Sequence, residues 1–283
     1  MERASVFCAR GEELLGIFHP GDQHANRGVL ILVGGPQYRV GSHRQFLLLA
    51  RHLAAHGVPV MRFDYRGMGD SSGPAINFEH VATDIVAAID AFQFEVPELR
   101  DVIIWGLCDA ASAALLYAYC DARVGGLVLL NPWARTEQGI AKAYLKHYYL
   151  RRLMSRDFWS GLARGRVNPV ASIRSLANMV SKRVGIGNIP SSGQFGADPA
   201  NTRPLPERMA DGWRRFRGRI LVILSGDDLT AAEFRDVAAS SASWRGLLDE
   251  ARVCVRELPE ANHTFSRRIW RDKVAQWTLE WIG

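Results

Sequence analysis

Three side chains far apart in the chain have the types and the order needed for nucleophilic acyl chemistry. Cys108 lies in WGLCDAA (105–111), Asp228 in LSGDDLT (224–230) and His263 in EANHTF (260–265). A thiol needs a base to become a thiolate. An imidazole supplies one, and a carboxylate fixes the imidazole tautomer and stabilises the imidazolium. Asp227 is the alternative acid, and Asp228 is preferred because it lies deeper in its loop. Gly106 and Ala110 stand two residues before and two after Cys108, with alanine where a second glycine is more usual. A sharp strand-to-helix turn with a reactive tip requires small residues there. A following helix N-terminus favours a thiolate, while the neighbouring Asp109 carboxylate opposes it.

A tetrahedral intermediate needs two amides aimed at its oxyanion. The residue after the nucleophile, Asp109, would supply one. The other would come from Gly34-Gly35-Pro36-Gln37-Tyr38. Pro36 has no N–H, so the choice falls on Gly35 ahead of Gln37; the same residues would also make an ordinary Gly-Pro turn. Gln37 and Arg39 are the candidates to touch a substrate. Cys8, Cys120 and Cys254 are expected to be buried and inert. No CxxC pair or framework spacing appears, which argues for reduced thiols and against a metal site.

The elements that would carry these residues are visible as periodic runs. Six apolar, β-branched runs span 28–35, 58–64, 101–106, 125–131, 219–226 and 251–258. Unbroken runs of this kind suit strands buried on both faces of a parallel sheet. Helix-like stretches lie between them at 43–56, 78–94, 110–119, 232–248 and 267–281. The alternation predicts a mostly parallel, doubly wound α/β sheet. The first 20 residues, with Gly11 at the turn, predict an antiparallel hairpin at its edge. Cys108, Asp228 and His263 all then follow strands, in the order nucleophile, acid, histidine.

The alternation stops after Asn131-Pro132, which divides the chain into a core of 1–131 and 219–283 and an inserted, largely helical cap of 132–218. The stretch 184–206 is rich in Gly, Pro and Ser and reads as a loop. Residues 132–219 hold 17 Lys and Arg against 5 Asp and Glu, a net of +12 in a chain of +6. The remainder is therefore acidic. Such a segment is either a solvated face or an attraction for an anionic partner. Tyr144, Tyr148, Tyr149, Phe158 and Trp159 with adjacent basic residues raise peripheral membrane contact, although cap core is the favoured reading. No nucleic-acid-binding module is present. No run is long and apolar enough for a membrane helix or a secretory signal.

The stretch FDYRGMGDS (63–71) resembles the D-x-R-G-x-G-x-S signature of α/β-hydrolases, and Gly34-Gly35 resembles their HGG-type loop with Val33 in place of histidine. Together with the elbow and the residue order, the chain resembles the α/β-hydrolase superfamily over nearly its whole length. VGGPQYRVGSHRQF, FDYRGMGDS, WGLCDAASAALLYA and LSGDDLTAAEF are more narrowly similar to the hydrolase 1 family associated with exosortase A systems. The resemblance implies an α/β-hydrolase fold, a cytoplasmic bacterial enzyme, and Cys108, Asp228 and His263 as its triad. Cysteine at this position also occurs in dienelactone hydrolases and polyhydroxyalkanoate synthases.

The sequence is thus read as a cofactor-independent acyl hydrolase of thioesterase or esterase type working through an S-acyl intermediate. Acyl transfer to a non-water acceptor is the alternative, and a non-catalytic binding scaffold the more distant one. The basic cap points to an anionic acyl donor such as an acyl-CoA or acyl-carrier protein. A carboxylate-nucleophile dehalogenase is rejected, since Asp109 stands at the wrong offset in the elbow.

Overall fold

The computed structural model describes residues 1–22, 24–35, 37–134 and 203–283. The strands are β1 (Arg3–Ala9), β2 (Glu12–His19), β3 (Arg27–Leu32), β4 (Val60–Phe63), β5 (Asp101–Leu107), β6 (Val124–Leu130), β7 (Arg219–Asp227) and β8 (Val253–Asn262). The longer helices among the described residues are α1 (Gln45–Ala55), α2 (Ala82–Glu95), α3 (Asp109–Tyr117), α4 (Leu205–Arg215), α5 (Leu229–Ser240) and α6 (Arg268–Ile282). The strands form one sheet in the order β1-β2-β4-β3-β5-β6-β7-β8. β1 and β2 pair antiparallel, as do β2 and β4, and all later pairs are parallel.

The unbroken apolar runs have a simple cause: successive side chains of a strand point to opposite faces, and here both faces are covered. Leu30, Val102, Ile104, Leu127, Leu129, Ile220 and Val222 meet α2, α3, α4 and α5 on one side. Val29, Ile31, Ile103, Trp105, Val128, Leu221 and Ile223 meet α1 and α6 on the other. Neither face has room for a polar alternation.

After β3 the chain moves outward to β4, then crosses back to β5 on the other side of β3. The order of strands reverses between β3 and β5, so loops leaving their carboxyl ends diverge and open a crevice. Val33-Gly34-Gly35 leaves one of these ends and Cys108 the other.

The FDYRGMGDS loop is held by its own charges. Buried Asp84 of α2 accepts from the Arg66 backbone N–H at 2.9 Å and from its guanidinium Nε at 2.6 Å. Asp64 accepts the Asp70 N–H at 3.1 Å, and a Cβ at Gly69 would stand 2.2 Å from the same carboxylate. Asp84→Ala would leave the Arg66 charge buried and unanswered, lowering stability by about 3 kcal/mol. Chemical denaturation of the variant measures this, and a loss under 1 kcal/mol would show the pair to be replaceable.

Some elements differ from their sequence expectations. The helix expected over 232–248 ends at Ser240; Ser241 turns extended and its hydroxyl accepts the Ser243 N–H at 3.3 Å, a local bond that competes with helix continuation. Cys8 and Cys120 are exposed, one on the edge strand and one in the turn after α3, and Cys254 is half-buried. Most of the expected cap, including 184–202 and the aromatic cluster, lies outside the described residues. Its final part does not behave as an insertion: α4 buries Met209, Ala210 and Trp213 in the same apolar layer as α3. No described helix is long and apolar enough to cross a membrane.

Candidate active site

Cys108 sits at the tip of the β5-to-α3 turn with φ 63° and ψ −124°, a conformation that side-chain-bearing residues rarely adopt. Its surroundings hold it there. The Cys108 N–H donates to the Leu130 carbonyl of β6 at 2.8 Å, and the Cys108 carbonyl accepts N–H bonds from Ala111 (3.1 Å) and Trp133 (3.2 Å). The turn is tight enough that a Cβ at Gly106 would stand 2.7 Å from the Ala110 carbonyl group. Glycine at 106 is therefore a steric requirement of the elbow, and Ala110 beside it is fully buried.

Asp228 follows β7 and is 8% exposed. Its Oδ1 accepts the Thr230 N–H at 3.2 Å and its Oδ2 the Ala231 N–H at 3.0 Å, capping α5. The same Oδ2 lies 2.9 Å from His263 Nδ1, so the imidazole donates from Nδ1 and leaves Nε2 to accept a proton. Burial pushes the Asp228 pKa up, but the His263 hydrogen bond and charge and the two amides outweigh it, and the net shift is downward. Asp227 is the exposed last residue of β7, paired with Asn262. Of the two aspartates, the structure brings Asp228 to the histidine.

One of the proposed oxyanion donors is already engaged. The Gly35 N–H donates to Asp109 Oδ2 at 2.8 Å. Asp109 Oδ1 takes the Ala110 N–H at 3.0 Å. Burial raises the Asp109 pKa; these amides and the nearby His263 offset part of that rise.

The two residues expected to meet substrate have other work. Gln37 Oε1 accepts the Ser42 N–H at 3.0 Å. Arg39 is paired with Asp64 and, at 2.6 Å, with Asp70, and its backbone N–H donates to Asp64 at 2.6 Å. Both brace loops beside the crevice. Three of the arginines around the start of β7 are also engaged elsewhere. Arg215 lies 3.8 Å over the Tyr119 ring and Arg219 4.8 Å over Trp281, while Arg214 donates to the Ser243 carbonyl. They stand at the amino end of β7, about 30 Å of strand from Asp228 at roughly 3.3 Å per residue. A phosphate bound near Cys108 is beyond their reach.

Asn131 is legible in the sequence only as the end of a strand, yet it ties β7 to the His263 loop. It is fully buried with φ 42°, a left-handed conformation that asparagine tolerates better than most residues. Its Nδ2 donates to Ser225 Oγ at 2.8 Å and to the His263 carbonyl at 3.0 Å, and its Oδ1 accepts the Ser225 N–H at 2.9 Å. Leu130, one residue earlier, holds the Cys108 N–H. Asn131→Ala would strand the buried Ser225 N–H at about 1–3 kcal/mol and free the His263 loop. The expected result is about a tenfold lower kcat with KM little changed, measured alongside the melting temperature. A lower melting temperature with full kcat would limit Asn131 to a structural part.

Among the described residues no group of three His, Cys, Asp or Glu side chains is arranged to hold a metal ion.

The alpha/beta hydrolase family model matches residues 29–272. No curated protein sequence matches the chain. Among solved structures, the Pyrococcus furiosus esterase Pf2001 superposes with a TM-score of 0.63 at 14% identity, covering 100% of this chain and 92% of that one. The alpha/beta hydrolase GrgF from Penicillium sp. gives 0.63 at 15%, covering 100% and 98%. A thermophilic esterase from Thermogutta terrifontis gives 0.57 at 18%, also covering 100% and 98%. At these identities the likeness is one of fold.

Proposed function

Because this chain belongs to the alpha/beta hydrolase family, we propose that it is an acyl hydrolase acting on esters or thioesters through Cys108, His263 and Asp228. The observation that carries the reading is the 2.9 Å contact between His263 Nδ1 and the buried Asp228 carboxylate. With it goes the strained elbow that presents Cys108 at the carboxyl end of β5. His263 Nε2 takes the thiol proton as Cys108 Sγ bonds to the acyl carbon. The tetrahedral oxyanion collapses, the acyl C–O or C–S bond to the leaving group breaks, and His263 returns the proton to that group. Water, deprotonated by His263, then attacks the S-acyl carbon and releases the acid and the free thiol. Thiolates leave and attack readily, which suits activated esters and thioesters better than amides. Esterases of the same fold support the bond class. A cytoplasmic setting and kinship with the exosortase-associated hydrolases belong to this proposal on the strength of the sequence motifs.

The test is intact-protein mass after brief exposure to short and long acyl-CoA thioesters and a p-nitrophenyl ester. Wild type, Cys108→Ala and His263→Ala are compared. An acyl-sized increase that needs Cys108 and decays in water is expected. An adduct that persists until an alcohol or amine is added would instead establish acyl transfer. Turnover undiminished in Cys108→Ala would sink the nucleophile assignment.

A further inference from the structure

The Asp109 side chain stands where an oxyanion should. Acyl transfer through Cys108 calls for the N–H groups of Gly35 and Asp109 to converge on a negative oxygen. One of them, the Gly35 N–H, already donates to a negative oxygen, Asp109 Oδ2, at 2.8 Å, and the other oxygen of that carboxylate takes the Ala110 N–H at 3.0 Å. The space is made for it: a Cβ at Gly34 would lie 2.1 Å from Asp109 Oδ1 and 2.7 Å from the Leu107 carbonyl oxygen. Only glycine at 34 lets the carboxylate reach the loop.

We propose that the Asp109 carboxylate is a built-in occupant of the oxyanion hole, which an incoming acyl carbonyl must displace before Cys108 can react. The inference rests on the acyl-hydrolase reading above. Its physical basis is competition. Amides arranged to bind one anion cannot serve a second at the same time, and two negative oxygens a few ångströms apart repel each other. Asp109 starts α3, so its side chain can turn away from the hole without moving the elbow backbone. The resting site is held closed by its own residue, and acylation is slower than the geometry of Cys108 and His263 alone would allow.

The experiment compares wild type, Asp109→Ala and Asp109→Asn in two assays. The first is the rate of Cys108 acylation by a p-nitrophenyl ester, followed by intact mass. Emptying the hole is expected to raise that rate at least tenfold in Asp109→Ala and by less in Asp109→Asn, whose amide oxygen still accepts the Gly35 N–H without charge. One oxyanion donor is commonly worth 10²–10³-fold, so a tenfold gain is a modest demand. The second assay uses labelled formate as a detached carboxylate, with binding read from NMR line broadening. Formate should bind Asp109→Ala and not wild type. It should also slow acylation of that variant. Formate binding with no adduct on Cys108 in any variant would uphold the occupied hole and overturn the nucleophile assignment. Slower or unchanged acylation without formate binding, at an unchanged melting temperature, would overturn the proposal and make Asp109 a brace. If Asp109→Ala fails to fold, Asp109→Asn carries the comparison: faster acylation supports the inference, and an equal or slower rate rejects it.

Discussion

Cys108→Ala is expected to lower turnover of an activated ester by about 10⁴-fold or more, leaving only what binding and backbone amides supply. The size follows from the division of labour in the site. Each proton that His263 moves with the support of Asp228 belongs to forming or breaking the S-acyl intermediate, so removing sulfur removes the species they serve. The variant should fold, because Cys108 contributes one half-buried sulfur while its backbone bonds to Leu130, Ala111 and Trp133 do not involve the side chain. Steady-state kinetics with circular dichroism separates the two effects. Retention of more than a hundredth of wild-type turnover in a folded Cys108→Ala protein would move the chemistry to another residue.

Asp228→Asn is expected to reduce kcat by about 10³-fold, and for two separable reasons. An asparagine amide facing Nδ1 donates instead of accepting, turning the imidazole to the tautomer that cannot take the thiol proton. Asp228 also accepts the Thr230 and Ala231 N–H groups with both oxygens. The amide nitrogen of asparagine must therefore face a donor on one side, either a capping N–H or His263. Weakening this cap costs about 1 kcal/mol. The pH dependence of stability gives an independent check. The folded Asp228 pKa is depressed below the unfolded value of about 3.9, so the ionised carboxylate stabilises the fold above that pH. The contribution fades as pH falls through the lower folded value. The stability gap between wild type and Asp228→Asn should be widest near neutrality and narrow below about pH 4. A gap unchanged down to pH 2 would remove the charge from the explanation.

Much of this arrangement was legible because it depends on period and order. The central parallel strands announce themselves as unbroken apolar runs, since both of their faces are covered. The elbow shows through the size of Gly106 and Ala110, and the order of Cys108, Asp228 and His263 follows from loops at the carboxyl ends of successive strands. What escaped depends on where individual side chains turn. Arg39 looked free beside the crevice because nothing local reveals that Asp64 and Asp70 face it across a loop. Asn131 looked like punctuation before Pro132, and its bonds reach 94 and 132 residues along the chain. The bond of the Asp109 carboxylate to Gly35 is not legible in the sequence, since it depends on how closely two loops approach. Helix α4 falls in the expected insertion because the alternation stops after Asn131-Pro132 and resumes only at β7, whereas its buried Met209, Ala210 and Trp213 decide where it packs.

The backbone at Cys108 sets stability against reactivity at one position. With φ 63° and ψ −124°, every residue bearing a Cβ is strained there, and glycine alone is at ease. Cys108→Gly would relieve that strain, so the inert protein should melt at a higher temperature than the active one. A lineage of such chains that no longer needed the chemistry would drift toward glycine at 108. A side chain maintained at this position in relatives would record continued selection for a reactive group, legible in an alignment before any substrate is found.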